Sequence, residues 1–293
     1  MQVVVYGRLV KDRDIPFLQE LLDALHAKDA NVYIYTPYYK QFKERVQLKK
    51  DVAMFDGHVD LKMKKFDFMI TMGGDGTILD AVTAIRDKGV PILGINLGRL
   101  GFLASIDKQM ITQAIELICN DRYKLGARTM LFLESDQDLF GEMKFALNDF
   151  TILKRDTSSM ITINTYINGA YLATYWADGI ILSTPTGSTG YSLSCGGPIV
   201  FPDSNNFILT PVAPHNLNVR PLVISDDSIV SFEVTGRAES FLCTLDSRFE
   251  TISSMDQIAI RKNDFEVNLV ELPDRDFLAT MREKLAWGVD TRN

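Results

Sequence analysis

The feature that most constrains this chain is Met72-Gly73-Gly74-Asp75-Gly76-Thr77, which follows the apolar run Phe66 to Met72 without a gap. Apolar residues then resume at helical spacing, with Ile78, Val82 and Ile85 on one face, so the segment reads as strand, tight turn and helix. Glycine has no Cβ, so such a turn lets a ligand approach the main chain closely. The helix expected to start near Thr77 or Ile78 adds unpaired N–H groups and a positive dipole end, which suit phosphate. An aspartate inside a bare anion site would repel its ligand. Asp75 makes chemical sense if it binds Mg²⁺ or takes a proton from an attacking hydroxyl. The loop is not a Walker A sequence, because no Gly-Lys-Ser/Thr follows, and it is not G-x-G-x-x-G. The plainer alternative is a strand-to-helix turn capped by Asp75 without a ligand. Phosphoryl transfer is the leading reading.

The surroundings of this turn fix a fold class. Over the first 125 residues strand and helix patterns alternate: Val3 to Tyr6, a helical stripe of Phe17, Leu18, Leu21, Leu22 and Leu25, then a strand at Asn31 to Tyr35. A charged helix over Tyr38 to Gln47 is expected next, and after the glycine turn come a buried strand at Val90 to Asn96 and a helix at Ile111 to Ile118. Alternation of this kind implies a parallel, Rossmann-like α/β sheet covered by helices, with ligands at the carboxyl ends of its strands. After about Gly126 the pattern changes to short β-branched and aromatic runs punctuated by Gly, Asn and Asp, with a hairpin turn at Asn168-Gly169. A mainly β, sandwich-like second domain follows over 126–270. Residues 271–293 return to a helical stripe of Phe277, Leu278, Met281 and Leu285, expected to pack back on the first domain, 1–125.

Composition narrows the class of partner. With 31 basic and 38 acidic residues the net charge is −7, which argues against a nucleic-acid or anionic-membrane partner, since both are bound by clustered Lys and Arg. Local N–H groups can still hold a phosphate-rich small molecule. Cys119, Cys195 and Cys243 are isolated, and His26, His58 and His215 are scattered, so neither a disulfide framework nor a metal site is legible. This cysteine usage, with a strand-like start and no long apolar run, makes cytoplasmic the expectation.

A second segment, Ser183-Thr184-Pro185-Thr186-Gly187-Ser188-Thr189-Gly190-Tyr191-Ser192, interleaves hydroxyls with Pro and Gly. Hydroxyls both donate and accept, which suits a ligand with ribose, amide and base edges; a hydroxyl-rich surface loop is the simpler alternative. Asp178-Gly179 lies one strand upstream, so its carboxylate sits at the far strand end unless the chain bends back sharply.

Taken together, these segments resemble the NAD kinase family. The similarity is carried by Gly73 to Thr77, by Gly94-Ile95-Asn96-Leu97-Gly98-Arg99-Leu100-Gly101-Phe102-Leu103, by Asn148-Asp149, by Asp178-Gly179 and by Thr184 to Pro198. Pro214-His215, Arg220-Pro221 and the tail Arg282-Glu283-Lys284-Leu285-Ala286-Trp287-Gly288 complete it, in family order over nearly the whole chain. The resemblance implies transfer of phosphate from ATP, with Mg²⁺, to the adenosine 2′-hydroxyl of NAD. It implies an active site between the two domains and a homo-oligomer, dimer or tetramer, that completes it. It makes Asp75 the base or polariser, with Gly73, Gly74, Gly76 and Thr77 along the phosphate path and Phe102 near the adenine. Asn148 and Asp149 would bind the acceptor ribose or adenine, and Asp178 would lie near the nicotinamide end. Ser188, Thr189, Gly190 and Tyr191 would hold NAD.

Three positions depart from the family pattern: Asp149 stands for the usual Glu, Gly190 for Ala, and Asp246-Ser247-Arg248 for Asp-Gly-Gln. Arg248 is not expected to be a ligand. Two other functions remain open on the sequence. One is a lipid or sugar kinase sharing the glycine turn, disfavoured by the nucleotide-like second segment; the other is a dinucleotide sensor without turnover, disfavoured by an intact Asp75.

Overall fold

The computed structural model describes residues 1–62, 64–155, 159–273 and 275–288. Contacts divide the chain into two compact units: residues 1–127 with the segment from Val267 onward, and Arg128–Glu266.

The first unit is built on strands β1 (Gln2–Gly7), β2 (Asn31–Tyr35), β3 (Ala53–Phe55), β4 (Phe68–Gly73), β5 (Ile92–Asn96), β6 (Ile106–Asp107) and β7 (Lys124–Arg128). Its helices are α1 (Ile15–Ala27), α2 (Thr36–Tyr39), α3 (His58–Lys62), α4 (Asp75–Ile85) and α5 (Ile111–Cys119). The sheet runs β3-β2-β1-β4-β5, all parallel, with β6 paired beside β5. Unbroken apolar runs such as Val3-Val4-Val5 and Met69-Ile70 are what a sheet covered on both faces requires. One face packs on α1 through Leu18, Leu21, Leu22 and Leu25, and on α5 through Ile111, Ile115 and Ile118. Ile78, Val82 and Ile85 of α4 are buried, with Ile78 against Gly94 of β5. The strand order reverses between β1 and β4. Such a switch point opens a crevice at the carboxyl ends of those two strands, and the glycine turn leaves β4 there.

One expected helix is much shorter than its pattern. Over Tyr38 to Gln47 only one α turn, Thr36–Tyr39, forms, and tight turns follow to Val46. Tyr38 and Tyr39 both pack edge-on against Phe42, while Gln41 bonds to the Val10 N–H and the Arg8 carbonyl. The two Gln41 bonds are the long-range contacts here, and they tie this string of turns to the exit of β1.

The second unit contains β8 (Leu131–Ser135), β9 (Phe145–Ala146), β10 (Asp149–Lys154), β11 (Ile161–Ile167), β12 (Ala170–Ala177), β13 (Gly179–Ser183), β14 (Asn206–Val212), β15 (Leu222–Ser225), β16 (Val230–Thr235), β17 (Ser240–Leu245), β18 (Arg248–Ser253) and β19 (Ile258–Lys262), with a short α6 (Tyr191–Ser194). These form two six-stranded antiparallel sheets, β15-β14-β13-β10-β17-β18 and β12-β11-β16-β19-β8-β9. Alternate residues of β11, β16 and β17 point inward, as a half-buried strand demands. Phe150 of the first sheet stacks on Phe232 of the second at 5.6 Å, within a core shared by Leu133, Ile163, Ile180, Phe207 and Phe241.

The chain then re-enters the first unit. Strand β20 (Val267–Glu271) pairs parallel to β5 and also borders β7, and α7 (Phe277–Leu285) follows. Helix α7 is capped by Asp276, whose Oδ1 accepts the Ala279 N–H at 2.7 Å. Phe277 contacts Phe102, and Arg275 reaches the Met110 sulfur. Among the described residues, no helix is long and apolar enough to cross a membrane.

The cap yields a test. Asp276→Ala should cost about 1 kcal/mol of local helix stability, seen as faster amide exchange across Phe277–Leu285 with protection in β1 and β4 unchanged. Equal exchange in both proteins would show that α7 does not depend on this cap.

Candidate active site

In the first unit the glycine turn is a helix start. Gly74 takes an extended backbone as N-cap, and α4 begins at Asp75 itself, two to three positions before the start the sequence suggests. The reason lies in what holds Asp75. Its Oδ2 accepts the Phe102 N–H at 2.9 Å, and its Oδ1 accepts those of Leu103 at 3.1 Å and Ala104 at 2.9 Å. Three successive backbone donors fix the carboxylate across the mouth of the turn. The 97–104 loop can supply them because Asn96, at the end of β5, organises it: its amide bonds to the Arg99 carbonyl at 2.7 Å and accepts the Gly98 N–H at 2.7 Å. Gly101 is required by close approach, since a Cβ there would lie 1.8 Å from Asp75 Oδ1.

Two cations border this arrangement, and neither is legible as a site residue in the sequence. Arg8 leaves the end of β1, forks onto Asp80 of α4, and brings Nη1 to 3.3 Å from where a side chain on Gly76 would begin. Lys284 of α7 places Nζ 3.8 Å from Asp75 Oδ2 and 4.9 Å from the centre of the Phe102 ring. Of the predicted residues, Gly73, Gly74, Asp75, Gly76 and Phe102 therefore gather here. Thr77 is buried beneath the turn, with its hydroxyl tucked under Gly73, so its part is to support the loop.

The second unit gathers another set. Asn148 and Asp149 lie where the chain enters β10, and the N–H groups of Leu147, Asn148 and Asp149 all bond to the Asp246 carboxylate, at 2.9, 2.7 and 3.2 Å. Asp246 occupies the two-residue turn between β17 and β18 with φ of 54°, a left-handed conformation that aspartate tolerates. It is the organising residue of this segment, to which the sequence reading gave no role although it heads the Asp-Ser-Arg triplet. Arg248 is structural: its guanidinium donates to the Met143 and Phe145 carbonyls and lies over the Phe145 ring.

The hydroxyl-rich segment closes on the same spot. Thr184 donates its hydroxyl to the Leu147 carbonyl at 2.6 Å and its N–H to the Asn148 carbonyl at 2.9 Å. A Cβ on Gly190 would stand 3.7 Å from Asp149 Oδ2 and 3.8 Å from Asn148 Nδ2. Asn148, Asp149, Gly190 and the neighbouring Thr189 and Tyr191 are thus one cluster. Ser188 faces away from it: its side chain is buried and pairs with both backbone groups of Val200. Asp178 sits at the far end of β13, in an ion pair with Lys154 at 2.6 Å. The sharp bend that could reconnect them exists, because Ser192 of α6 bonds to Thr210, the partner of Ile181 in mid-strand. Tyr191 therefore turns back along the sheet, and its hydroxyl pKa is raised by burial first, then by Cys195, Asp149 and, least, Asp178.

The two carboxylates at the heart of this cluster are buried differently from Asp75. Burial, then the neighbouring Asp246, push the Asp149 carboxyl up to about 7. Burial raises Asp246 too, against the pull of its three N–H donors and Arg248. Unfolded, Asp149 ionises near ~4, so its charge is penalised only in the folded protein. Stability from this group is complete at low pH, falls as pH rises from ~4 through about 7, and stays low above that. Asp149→Asn is neutral throughout. Its melting temperature should exceed that of wild type by a margin that widens by a few degrees between about pH 5 and pH 8, measured by scanning calorimetry. A constant or shrinking margin would refute the assignment.

With this geometry in place, comparison with known proteins is informative. A model of the ATP-NAD kinase N-terminal domain matches residues 10–123, and one of the ATP-NAD kinase C-terminal domain matches residues 147–272. The NAD kinase of Cytophaga hutchinsonii is 46% identical over 294 residues, and that of Flavobacterium psychrophilum 44% over 295 residues, each alignment covering the whole of both chains. Yeast NADH kinase, solved with NADH, superposes with a TM-score of 0.90 at 23% identity over all of this chain and 89% of its own. The NAD kinase of Archaeoglobus fulgidus, solved with ATP, gives 0.72 at 23% identity over 98% of both chains. At that identity the two solved structures speak to the fold alone. The two domain models and the full-length relatives, together with the seated aspartate of the glycine turn, show that this chain belongs to the NAD kinase family.

Proposed function

We propose that the protein transfers the γ-phosphoryl group of ATP to the adenosine 2′-hydroxyl of NAD, giving NADP. The observation that carries this reading is the seat of Asp75: a carboxylate pinned by three N–H groups at the first turn of α4, beside the point where the strand order reverses. The helix start and Gly73, Gly74 and Gly76 offer backbone donors to phosphate. Oδ1 is occupied by two donors and Oδ2 by one, which leaves Oδ2 the freer oxygen to accept the proton of an attacking hydroxyl. A ribose hydroxyl needs to lose that proton only late in a loose transition state, so the placing of the accepting oxygen matters more than its basicity. The same charge would repel a phosphate already on the 2′ position, which favours NAD over NADP as acceptor.

Mg²⁺ fits these residues as a companion of ATP. Among the described residues no group of three or more His, Cys, Asp or Glu could enclose a metal. Mg²⁺ commonly keeps its waters and binds through substrate phosphates with one or two carboxylates, and Asp75 can be one of them. When bound, it would offset charge on the transferring phosphate. Acceptor recognition falls to Phe102 for the adenine, and to Asn148, Asp149, Thr189, Gly190 and Tyr191, with Asp178 toward the nicotinamide. Asp149 is a bond shorter than the family's Glu, and the missing methyl of Gly190 widens the same pocket wall. Ser188 supports that wall from beneath. The family resemblance further supports a homo-oligomer, dimer or tetramer, and three unpaired cysteines fit the cytoplasm.

Purified protein with NAD, ATP and Mg²⁺ should form NADP, read with an NADP-specific dehydrogenase. Asp75→Asn should lower turnover by about two to four orders of magnitude. Gly101→Ala should do nearly as much, because its new methyl must expel the Asp75 carboxylate. Wild-type rates in both variants would remove Asp75 from the mechanism; NAD binding without product in the wild type would favour a dinucleotide sensor.

A further inference from the structure

Lys284 is the one cation that α7 delivers to Asp75, and its placement asks for a reason. Helix α7 is held on the first unit by its Asp276 cap, by Phe277 against Phe102, and by Arg275, which pairs with Glu283 at 3.3 Å and touches the Met110 sulfur. These contacts bring the last turn of the helix over the glycine turn. Lys284 then stands beside Oδ2, the Asp75 oxygen with a single N–H donor, whereas Oδ1 has two. At 3.8 Å the pair is an ion pair beyond hydrogen-bond contact, so the carboxylate does not use up the ammonium's three donors. The Phe102 ring, 4.9 Å away, supplies a second weak hold that leaves the charge undiminished. With the side chain 28% exposed, the ammonium can reach a ligand. The nearest comparable cation, Arg8, is already forked onto Asp80.

We propose that Lys284 is a phosphate-binding residue of the phosphoryl-transfer site: its ammonium bridges Asp75 Oδ2 and the terminal phosphate of the donor nucleotide. The C-terminal helix is then part of the active site rather than a structural tail. The compact, strongly hydrated charge of lysine suits this role, since it can shift by an ångström or two between carboxylate and phosphate as charge moves. It holds the phosphate next to the oxygen that receives the proton, and keeps two anions, Asp75 and the triphosphate, from repelling each other. This inference rests on the kinase reading above.

The test separates the two. Binding of Mg²⁺-ATP and of Mg²⁺-ADP to the intact protein is measured by calorimetry, alongside turnover. A cation on the terminal phosphate predicts that Lys284→Gln weakens ATP binding about 10-fold and ADP binding much less, a loss of about 1.4 kcal/mol in the difference. Turnover should fall about 10- to 100-fold, with KM for NAD changed less than about 2-fold. Lys284→Arg should recover much of the ATP preference. Lys49→Gln, the same change at a lysine of this unit paired with Asp23 of α1, should leave both unchanged. An ATP-to-ADP affinity ratio that is the same in wild type and Lys284→Gln would overturn the proposal, as would an equal loss in Lys284→Arg accompanied by a lowered melting temperature. Should the wild type make no NADP, the kinase reading fails, yet the affinity ratio still decides the place of Lys284.

Discussion

Three consecutive backbone N–H groups converging on the Asp75 carboxylate are the interaction on which the first unit's chemistry depends. Without it the 102–104 segment would lose three of the bonds that hold it over the glycine turn, and the carboxylate would be free to turn into solvent. Hydrogen bonds to an ionised acceptor are stronger than neutral ones, and three of them from a single loop also remove most of the side chain's rotational freedom. Preorganisation of that kind is what phosphoryl transfer asks of a protein, because alignment and charge placement do most of the work.

The second unit repeats the device in another setting. Asp246 gathers the N–H groups of Leu147, Asn148 and Asp149 much as Asp75 gathers those of 102–104. Their surroundings separate them: Asp75 keeps a 31% exposed side chain, whereas Asp246 is buried in a hairpin turn and raised in pKa by that burial. One carboxylate can meet a substrate and the other can only hold a backbone segment in place. Asp149, carried on the segment that Asp246 holds, is the group that pays in stability for standing beside it.

The sequence exposed the fold class well. Continuous apolar runs between helical stripes announced a parallel α/β sheet, and short β-branched and aromatic runs punctuated by Gly, Asn and Asp announced the mainly β unit. It was less clear where a local pattern competed with packing. The stretch Tyr38 to Gln47 was expected to be a helix, yet it forms one α turn and a string of tight turns, tied to the β1 exit by Gln41. Ser188 and Thr77 carry hydroxyls suited to a ligand; folding bonds the first to the Val200 backbone and tucks the second under Gly73. Arg8 and Lys154 gave no signal of their own, and Asp246 and Lys284 stood only inside longer motifs without a role, because a charged residue acquires a role only from the partner that folding brings to it.

By itself, then, the chain of residues determined which segments are strands and helices, the class of each unit, and the chemistry concentrated in the glycine turn and the hydroxyl-rich segment. Those properties follow from periodicity, from the missing Cβ of glycine and from the small set of side chains able to handle phosphate and ribose. Tertiary structure alone decided which oxygen of Asp75 stays open, that a lysine some 200 positions away stands beside it, and that Asp246 rather than Arg248 organises the Asn148-Asp149 segment. Such contacts join residues some 100 to 200 positions apart, and no local pattern encodes a distance across a folded core.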